Sequence, residues 1–452
     1  MPIAYSPTRV AVLADSDTRW KWGALTARRI APHARIDGLL LRGRATPTPR
    51  QLAEVGVEPA ALREVTGAGF VRETMRAAGT GERYDAVVLA CVGGAVQAVL
   101  HALAHAARQD PAVRRPVLVT GYVGVVYEKL SDGLLLRHGA DVVLANSRHD
   151  AERFRTLYQG VGADAGSVVE CALPFLDGET APHEAAPAER GDRTRPFTVV
   201  FAVQPSVPAD RAGRSHLLRR AAEHARTHPE REVLVKLRSR PGEHTTHLEE
   251  QPYQRLAARL PAGLPPNCRL VYGHMGHVLD RADLLVTVSS TAALESLHRG
   301  LPTAVLTDLG IREALGNHYF VGSGCLASWD ELDAGHLPKA DPDWAARQGV
   351  CADGSYPAAF DAARERVAAL AAGPALPPPA PYYTPTTAPG YLPGVLARHG
   401  FAPDGAPLRA AGDGAPSGVR RALRHALREA ARGAYRHGVQ RVAPTIRRLG
   451  DL

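Results

Sequence analysis

The chain is poor in lysine and cysteine and has no long apolar run. Only four of its 54 basic residues are lysines: Lys21, Lys129, Lys236 and Lys339. Against such an Arg- and Ala-rich background a single arginine says little, whereas a lysine is worth following. The five cysteines, Cys91, Cys171, Cys268, Cys325 and Cys351, are odd in number and form no C-x-x-C pair. This pattern suggests neither a zinc ribbon nor a disulfide framework, and a reducing cytoplasm is expected. No apolar stretch approaches the ~18 residues of a membrane span. Met1-Pro2-Ile3-Ala4-Tyr5-Ser6-Pro7 lacks a basic region followed by an apolar core, so no secretory leader is expected. No G-x-G-x-x-G follows a strand and no G-x-x-x-x-G-K-[ST] occurs, which argues against nicotinamide enzymes and P-loop NTPases. His274-Met275-Gly276-His277 has a chelating spacing but no carboxylate or cysteine partner. No metal and no cofactor are therefore expected.

What is present is a β/α rhythm. The 452 residues suffice for two or three domains. In the first block, strand-like runs lie at 10–14, 36–41, 86–90, 116–120 and 141–145, with helical stretches at 95–107 and 148–158. In the second, strands are predicted at 197–203, 232–237, 269–272, 284–288 and 303–306. Its helices are predicted at 213–227, 247–259, 291–299 and about 357–371. Continuous apolar strands separated by helices imply parallel sheets covered on both faces. The expected fold class is α/β, with two Rossmann-like domains facing a cleft. The boundaries are 1–176 for the first domain, 177–196 for a polar, Pro/Ala-rich linker and 197–372 for the second domain. A Pro/Gly-rich tether follows at 373–417, then a basic amphipathic helix at 418–452. Ligands of such sheets lie beyond the carboxyl ends of the strands, so function is sought in those loops.

Two loops stand out. Leu284-Leu285-Val286-Thr287-Val288 runs into Ser289-Ser290-Thr291, and a helix follows at once. Free N–H groups at a helix start favour an anion, and hydroxyls add donors without blocking approach. Plain capping would use the same residues. Glu295 lies one turn further and could reach a ribose hydroxyl. The second loop, Lys236-Leu237-Arg238-Ser239-Arg240-Pro241-Gly242-Glu243-His244, carries three cations and a histidine suited to gripping phosphate. A basic surface loop is the plainer account of it. Gln204, in the loop after the first strand of this block, faces the same edge. On the first block, Asp17 and Glu128 follow strands and are equal candidates for a general base; Asp15 and His138 lie nearby. Trp20 and Trp22 could stack on a sugar ring but fit core packing better. The aromatics of 316–324 could stack on a base.

Lys236-Leu237 running into a Pro-containing loop, then Ala282-Asp283 … Ser289-Ser290-Thr291-Ala292-Ala293-Leu294-Glu295 … Gly300-Leu301-Pro302, resembles the donor half of GT-B glycosyltransferases. The resemblance is to bacterial capsule and teichoic-type polymer transferases and to sialyl- and polysialyltransferases. The whole chain also resembles an uncharacterised bacterial family grouped with glycosyltransferases. Relatives place a His-Pro pair after the lysine strand; here Arg238-Ser239-Arg240-Pro241 stands instead. The resemblance implies an acceptor domain followed by a nucleotide-sugar donor domain. The donor, of CMP-sialic type on this resemblance, would be held by Gln204, Lys236, Arg238, Arg240, His244, Ser289, Ser290, Thr291 and Glu295. The expected reaction is metal-independent, inverting transfer to a cell-surface polysaccharide or glycolipid. Sugar-nucleotide 2-epimerases share the architecture, but their dense His/Glu signature is not found. A non-catalytic nucleotide-sugar-binding protein is the third reading.

The net charge is +8. Residues 418–452 hold nine arginines against Glu429 and Asp451, so the rest of the chain is nearly neutral. Arg420, Arg424, Arg428, Arg432 and Arg436 recur every four residues, with Val419, Leu423, Ala426, Leu427, Ala430 and Ala434 on another face. Such a helix suits an anionic membrane surface, by largely electrostatic attraction. No nucleic-acid partner is expected, and the body is expected in the cytoplasm, peripheral on the inner face of the membrane.

Overall fold

The computed structural model describes residues 7–43, 46–78, 82–126, 130–176, 195–240, 243, 249–351 and 354–408. Glu128, His244, nearly all of the expected linker and the basic segment 418–452 lie outside the described residues.

The first sheet has seven parallel strands: β1 (Arg9–Ala14), β2 (Arg35–Leu41), β3 (Ala61–Val65), β4 (Ala86–Ala90), β5 (Val117–Gly121), β6 (Val142–Ala145) and β7 (Val168–Glu170). Their spatial order is β3-β2-β1-β4-β5-β6-β7. The second has six: β8 (Phe197–Ala202), β9 (Arg231–Lys236), β10 (Cys268–Val271), β11 (Leu284–Thr287), β12 (Thr303–Leu306) and β13 (Leu326–Ala327). These are ordered β10-β9-β8-β11-β12-β13, also parallel throughout. The central strands β4, β5, β6, β11 and β12 are buried at every residue, as helices on both faces require. The two-domain α/β class expected from the sequence is therefore the observed one.

In both sheets the strand order reverses once, between β1 and β4 and between β8 and β11. Loops leaving the carboxyl ends of such a pair diverge to opposite faces and leave a crevice. One apolar cluster is continuous across the domains, joining Val12, Leu144 and Phe175 to Ala293, Leu297 and Tyr356.

The structure differs from expectation at the edges and at the C-terminal side. Strands β3, β7 and β13 were not foreseen, because they are short or, in β3, largely exposed and polar. The helix expected at 247–259 is described only as Tyr253–Ala257. The helix Asp361–Ala372 packs on helix Asp17–Ile30 and on β5, β6 and β7, so the chain has returned to the first domain. The segment from 373, expected as an extended tether, is laid down on that domain as far as Leu408. Arg114 donates to the Gly373 carbonyl at 2.7 Å, Arg115 Nε to that of Pro377 at 2.8 Å, and His101 Nε2 meets that of Tyr383 at 2.9 Å. Leu392, Leu396 and Phe401 are fully buried in its core. Proline keeps this stretch from forming sheet or long helix, and its apolar side chains still demand burial.

Candidate functional site

A cleft of about 420 Å³ lies between the carboxyl edges of the two sheets. From the second domain it is lined by Gln204, Lys236, Arg238, Ser289, Ser290, Thr291 and Glu295. From the first come Asp17, Lys21, Gln51, Glu54 and Tyr122. Eight of the residues nominated from sequence thus converge.

Each is placed by a strand end. Lys236 is the last residue of β9 and Arg238 follows two positions on. Ser289, Ser290 and Thr291 connect β11 to the helix Ala292–His298, which receives no side-chain cap from Thr291. Gln204, after β8, reaches across the crevice to β11: its Oε1 accepts the Ser289 N–H at 3.0 Å. Ser289 Oγ donates to the Leu315 carbonyl at 2.6 Å, and the residue is buried. Its hydroxyl therefore builds the crevice. Ser290 Oγ accepts the Ala292 N–H at 3.2 Å and stays at the cleft surface. The loop after β5 comes against Thr291 because Gly124 has no side chain; a Cβ there would sit 2.8 Å from Thr291 Oγ1.

Charge is arranged reciprocally. Arg238 Nη2 of the second domain donates to both carboxylate oxygens of Asp17 in the first, at 3.0 and 3.2 Å. Lys21 Nζ of the first domain lies 3.7 Å from Glu295 Oε2 of the second. Glu295 Oε2 is buried and accepts no hydrogen bond. Lys236 is buried and donates to the Leu237 carbonyl at 2.7 Å. Burial pulls its pKa down to about 8, although Glu54 and Glu295 pull the other way. His274, also on the cleft wall, is pushed down to about 4 by burial and then by Lys21, so it is neutral at neutral pH. Outside the cleft, Arg50 ties Glu243 across the domains.

Other nominated residues are elsewhere. Arg240 does not line the cleft; its guanidinium lies 5.7 Å from the centre of the Tyr272 ring. Asp15 is taken up by Arg19 at 2.9 Å and by the Val92 N–H at 2.9 Å. Trp20 and Trp22 are core residues. Phe320 is buried and Tyr319 packs on His149 and Trp344, so neither offers a face to a base in the cleft. His138 packs edge-on against Tyr158 and Tyr382. Sequence reasoning did not place Lys21, Gln51, Glu54 or Tyr122 in the site, and read His274 only as half of a chelating pair. The rarity of lysine was a usable signal for Lys21: both Lys21 and Lys236 face this cleft.

The cluster can neutralise an anion without help. Lys21, Lys236 and Arg238 converge with the Ser290 and Thr291 hydroxyls, and the carboxylates opposite them can be displaced by a stronger acceptor. The cleft walls also bring Asp17 within reach of anything Arg238 holds.

The fold is similar to several solved structures. The UDP-GlcNAc 2-epimerase of Neisseria meningitidis, bound to UDP-GlcNAc, is 11% identical, with 78% of this chain and 98% of that one covered and a TM-score of 0.48. A UDP-glucosyltransferase from Polygonum tinctorium is 13% identical over 80% of this chain and 92% of that one, at a TM-score of 0.44. The glycosyltransferase SnogD of Streptomyces nogalater is 15% identical over 80% and 95%, at 0.41. No curated protein matches the sequence. Residues 10–370, most of the chain and both halves of the cleft, match the family described as "Putative glycosyltransferase (DUF6716)", and the chain belongs to that family.

Proposed function

We propose that the protein transfers a sugar from a nucleotide-activated donor to a hydroxyl of a polysaccharide or glycolipid acceptor. The observation that carries this reading is the cross-cleft contact of Arg238 with Asp17, inside a cluster of Lys21, Lys236, Ser290 and Thr291. A donor phosphate offers more acceptor oxygens and as much or more charge than the Asp17 carboxylate that Arg238 Nη2 holds, so donor phosphates take Arg238 and Lys236. Asp17 is thereby released next to the bound donor. An acceptor hydroxyl then attacks the anomeric carbon while its proton passes to the Asp17 carboxylate. The bond from that carbon to the phosphate oxygen breaks, and its electron pair leaves on the phosphate. Attack from the face opposite the leaving group inverts the anomeric carbon. Lys236, Arg238 and Lys21 offset the charge that develops, which is the part a metal plays elsewhere. Glu295, opposite Lys21, is placed to accept from a ribose hydroxyl. A CMP-linked acidic sugar remains the proposed donor, on resemblance.

No helix among the described residues is long and apolar enough to cross a membrane. Attachment to an anionic membrane surface is assigned to residues 418–452, where lipid-linked acceptors would be met. The test is a panel of CDP-, CMP- and UDP-sugars with a lipid-extract acceptor. A glycosylated acceptor with release of nucleotide is the expected result. Epimerised free donor would move the assignment to a 2-epimerase, and nucleotide binding without turnover would move it to a sensor or carrier.

A further inference from the structure

The second sheet places the cleft at its own strand-order reversal, where Gln204 after β8 meets Ser289 after β11. The first sheet has the same reversal between β1 and β4, and the corresponding crevice is a separate pocket of about 610 Å³. Its floor comes from the loops that follow β1, β2, β3 and β4. They contribute Asp15, Arg42, Thr66 and Val92, and the helix Asp17–Ile30 adds Arg19. Its roof is the segment 398–400 of the returning chain, with Arg398 and His399. That roof can lie so close because Gly67 has no side chain. A Cβ there would be 2.9 Å from the His399 carbonyl oxygen and 3.1 Å from the buried Phe401 ring.

The pocket is cationic in a specific way. Three arginines line it, Arg19, Arg42 and Arg398, and Arg398 also donates its Nε to the Gly394 carbonyl at 3.1 Å. The one carboxylate in its lining, Asp15, is already engaged by Arg19 and by the Val92 N–H. Arg42 is paired with Glu64 at 3.3 Å, but both are half-exposed, and such a pair is easily exchanged for a better acceptor. The twelve-residue helix Gly67–Ala78 starts at the pocket wall, with Thr66 Oγ1 accepting the Gly69 N–H at 3.1 Å. Its positive end adds to the arginines. Leu41 and Val92 supply apolar wall, and Val92 is unusually exposed for its type, at 47%.

Arg19 lines both this pocket and the cleft. Asp15 and Asp17, two positions apart at the end of β1, face one cavity each. A molecule that offers a hydroxyl to Asp17 therefore has this pocket as the next space to occupy.

We propose that the pocket is the seat of an anionic group, phosphoryl or carboxylate, carried by the acceptor, with Arg42 and Arg398 as its ligands and Arg19 as the shared wall. That the anionic group belongs to an acceptor rests on the transfer reading; the preference for an anion rests on the pocket alone.

The test uses the full chain and three small probes: phenyl phosphate, phenyl β-D-glucuronide and phenyl β-D-glucoside. The last two differ by a carboxylate. Calorimetry is expected to show one or both anionic probes binding about tenfold or more tighter than the glucoside, the value of a charge-assisted contact or two. Preference for the phosphate points to a lipid-phosphate acceptor, and preference for the glucuronide to an acidic glycan. The Arg42→Gln/Arg398→Gln double variant is expected to lose that preference. Its affinity for CMP, CDP and UDP should match that of the unaltered chain, which also shows that it is folded. Equal binding of all three probes, or an unchanged preference in the double variant, overturns the proposal. If instead no nucleotide binds the unaltered chain while the anionic probes do, the transfer reading fails and the pocket stands.

Discussion

Arg238 and Asp17 face each other across the cleft, 221 positions apart in the chain, with a guanidinium nitrogen 3.0 and 3.2 Å from the two carboxylate oxygens. In this closed arrangement the base candidate and the phosphate candidate block one another. On the proposed reading, donor binding separates them and so couples base release to a filled donor site. Asp17→Asn should keep or improve nucleotide affinity, because it removes the competitor for Arg238, while lowering kcat by roughly a hundred- to ten-thousand-fold. Arg238→Gln should weaken nucleotide binding by about tenfold. Titration calorimetry and initial rates on the two variants separate these effects. A donor affinity that falls in Asp17→Asn and holds in Arg238→Gln would reverse the roles.

Lys236 is costly to bury. With its pKa near 8 against the usual 10.5, the folded chain holds this proton less tightly than the unfolded one. The unfolded state therefore binds more protons between about pH 8 and 10.5, and this group's contribution to stability rises with pH over that window. Lys236→Met should leave the melting temperature at pH 7 unchanged or higher while weakening nucleotide binding about tenfold or more. In the unaltered chain, nucleotide affinity should fall as pH rises through about 8, where the charge is lost. A pH-independent affinity between 7 and 9 would remove Lys236 from the donor site.

The hydroxyls of the Ser289-Ser290 pair divide their work. Ser289→Ala breaks the bonds to Leu315 and Gln204 that hold the crevice, at a cost of roughly 1–3 kcal/mol in stability. Ser290→Ala, at the cleft surface, should weaken donor binding with little change in melting. Arg240→Ala should leave donor affinity within about twofold, since Arg240 rests against Tyr272 outside the cleft. Thermal melts and nucleotide titrations of the three single variants decide this.

The sheets were legible because β1, β4, β5, β11 and β12 are short, mainly apolar runs between helical stretches, the pattern of strands covered by helices on both faces. The second-domain residues that line the cleft were legible because they follow such strands directly. The pairing of Lys21 with Glu295, by contrast, depends on how the two domains are oriented, and no local pattern encodes that. Ser289 and Ser290 look alike in sequence, but only one finds a carbonyl acceptor in the crevice. The stretch 373–408 was misread because its prolines dominate its composition. Leu392, Leu396 and Phe401 are too sparse to form a periodic pattern, yet all three are buried.

That stretch carries the last prediction. Ending the chain after Leu408 keeps every described element, with Leu392, Leu396 and Phe401 in place and the cleft lining intact, so nucleotide affinity should match that of the full chain. Ending it after Ala372 removes Leu392, Val395, Leu396 and Phe401 from the core beside helix Gly93–Gln109. Each such side chain contributes roughly 1.5–3 kcal/mol on burial, and the loss also uncovers an apolar face. That chain should melt far lower or aggregate. The 1–408 chain then isolates the basic segment. The full chain should co-sediment with vesicles rich in anionic lipid, and added salt should release it, because nine arginines face two acids in 418–452. The 1–408 chain should stay in the supernatant. Equal sedimentation of the two would place any membrane contact on the folded body and not on the basic segment.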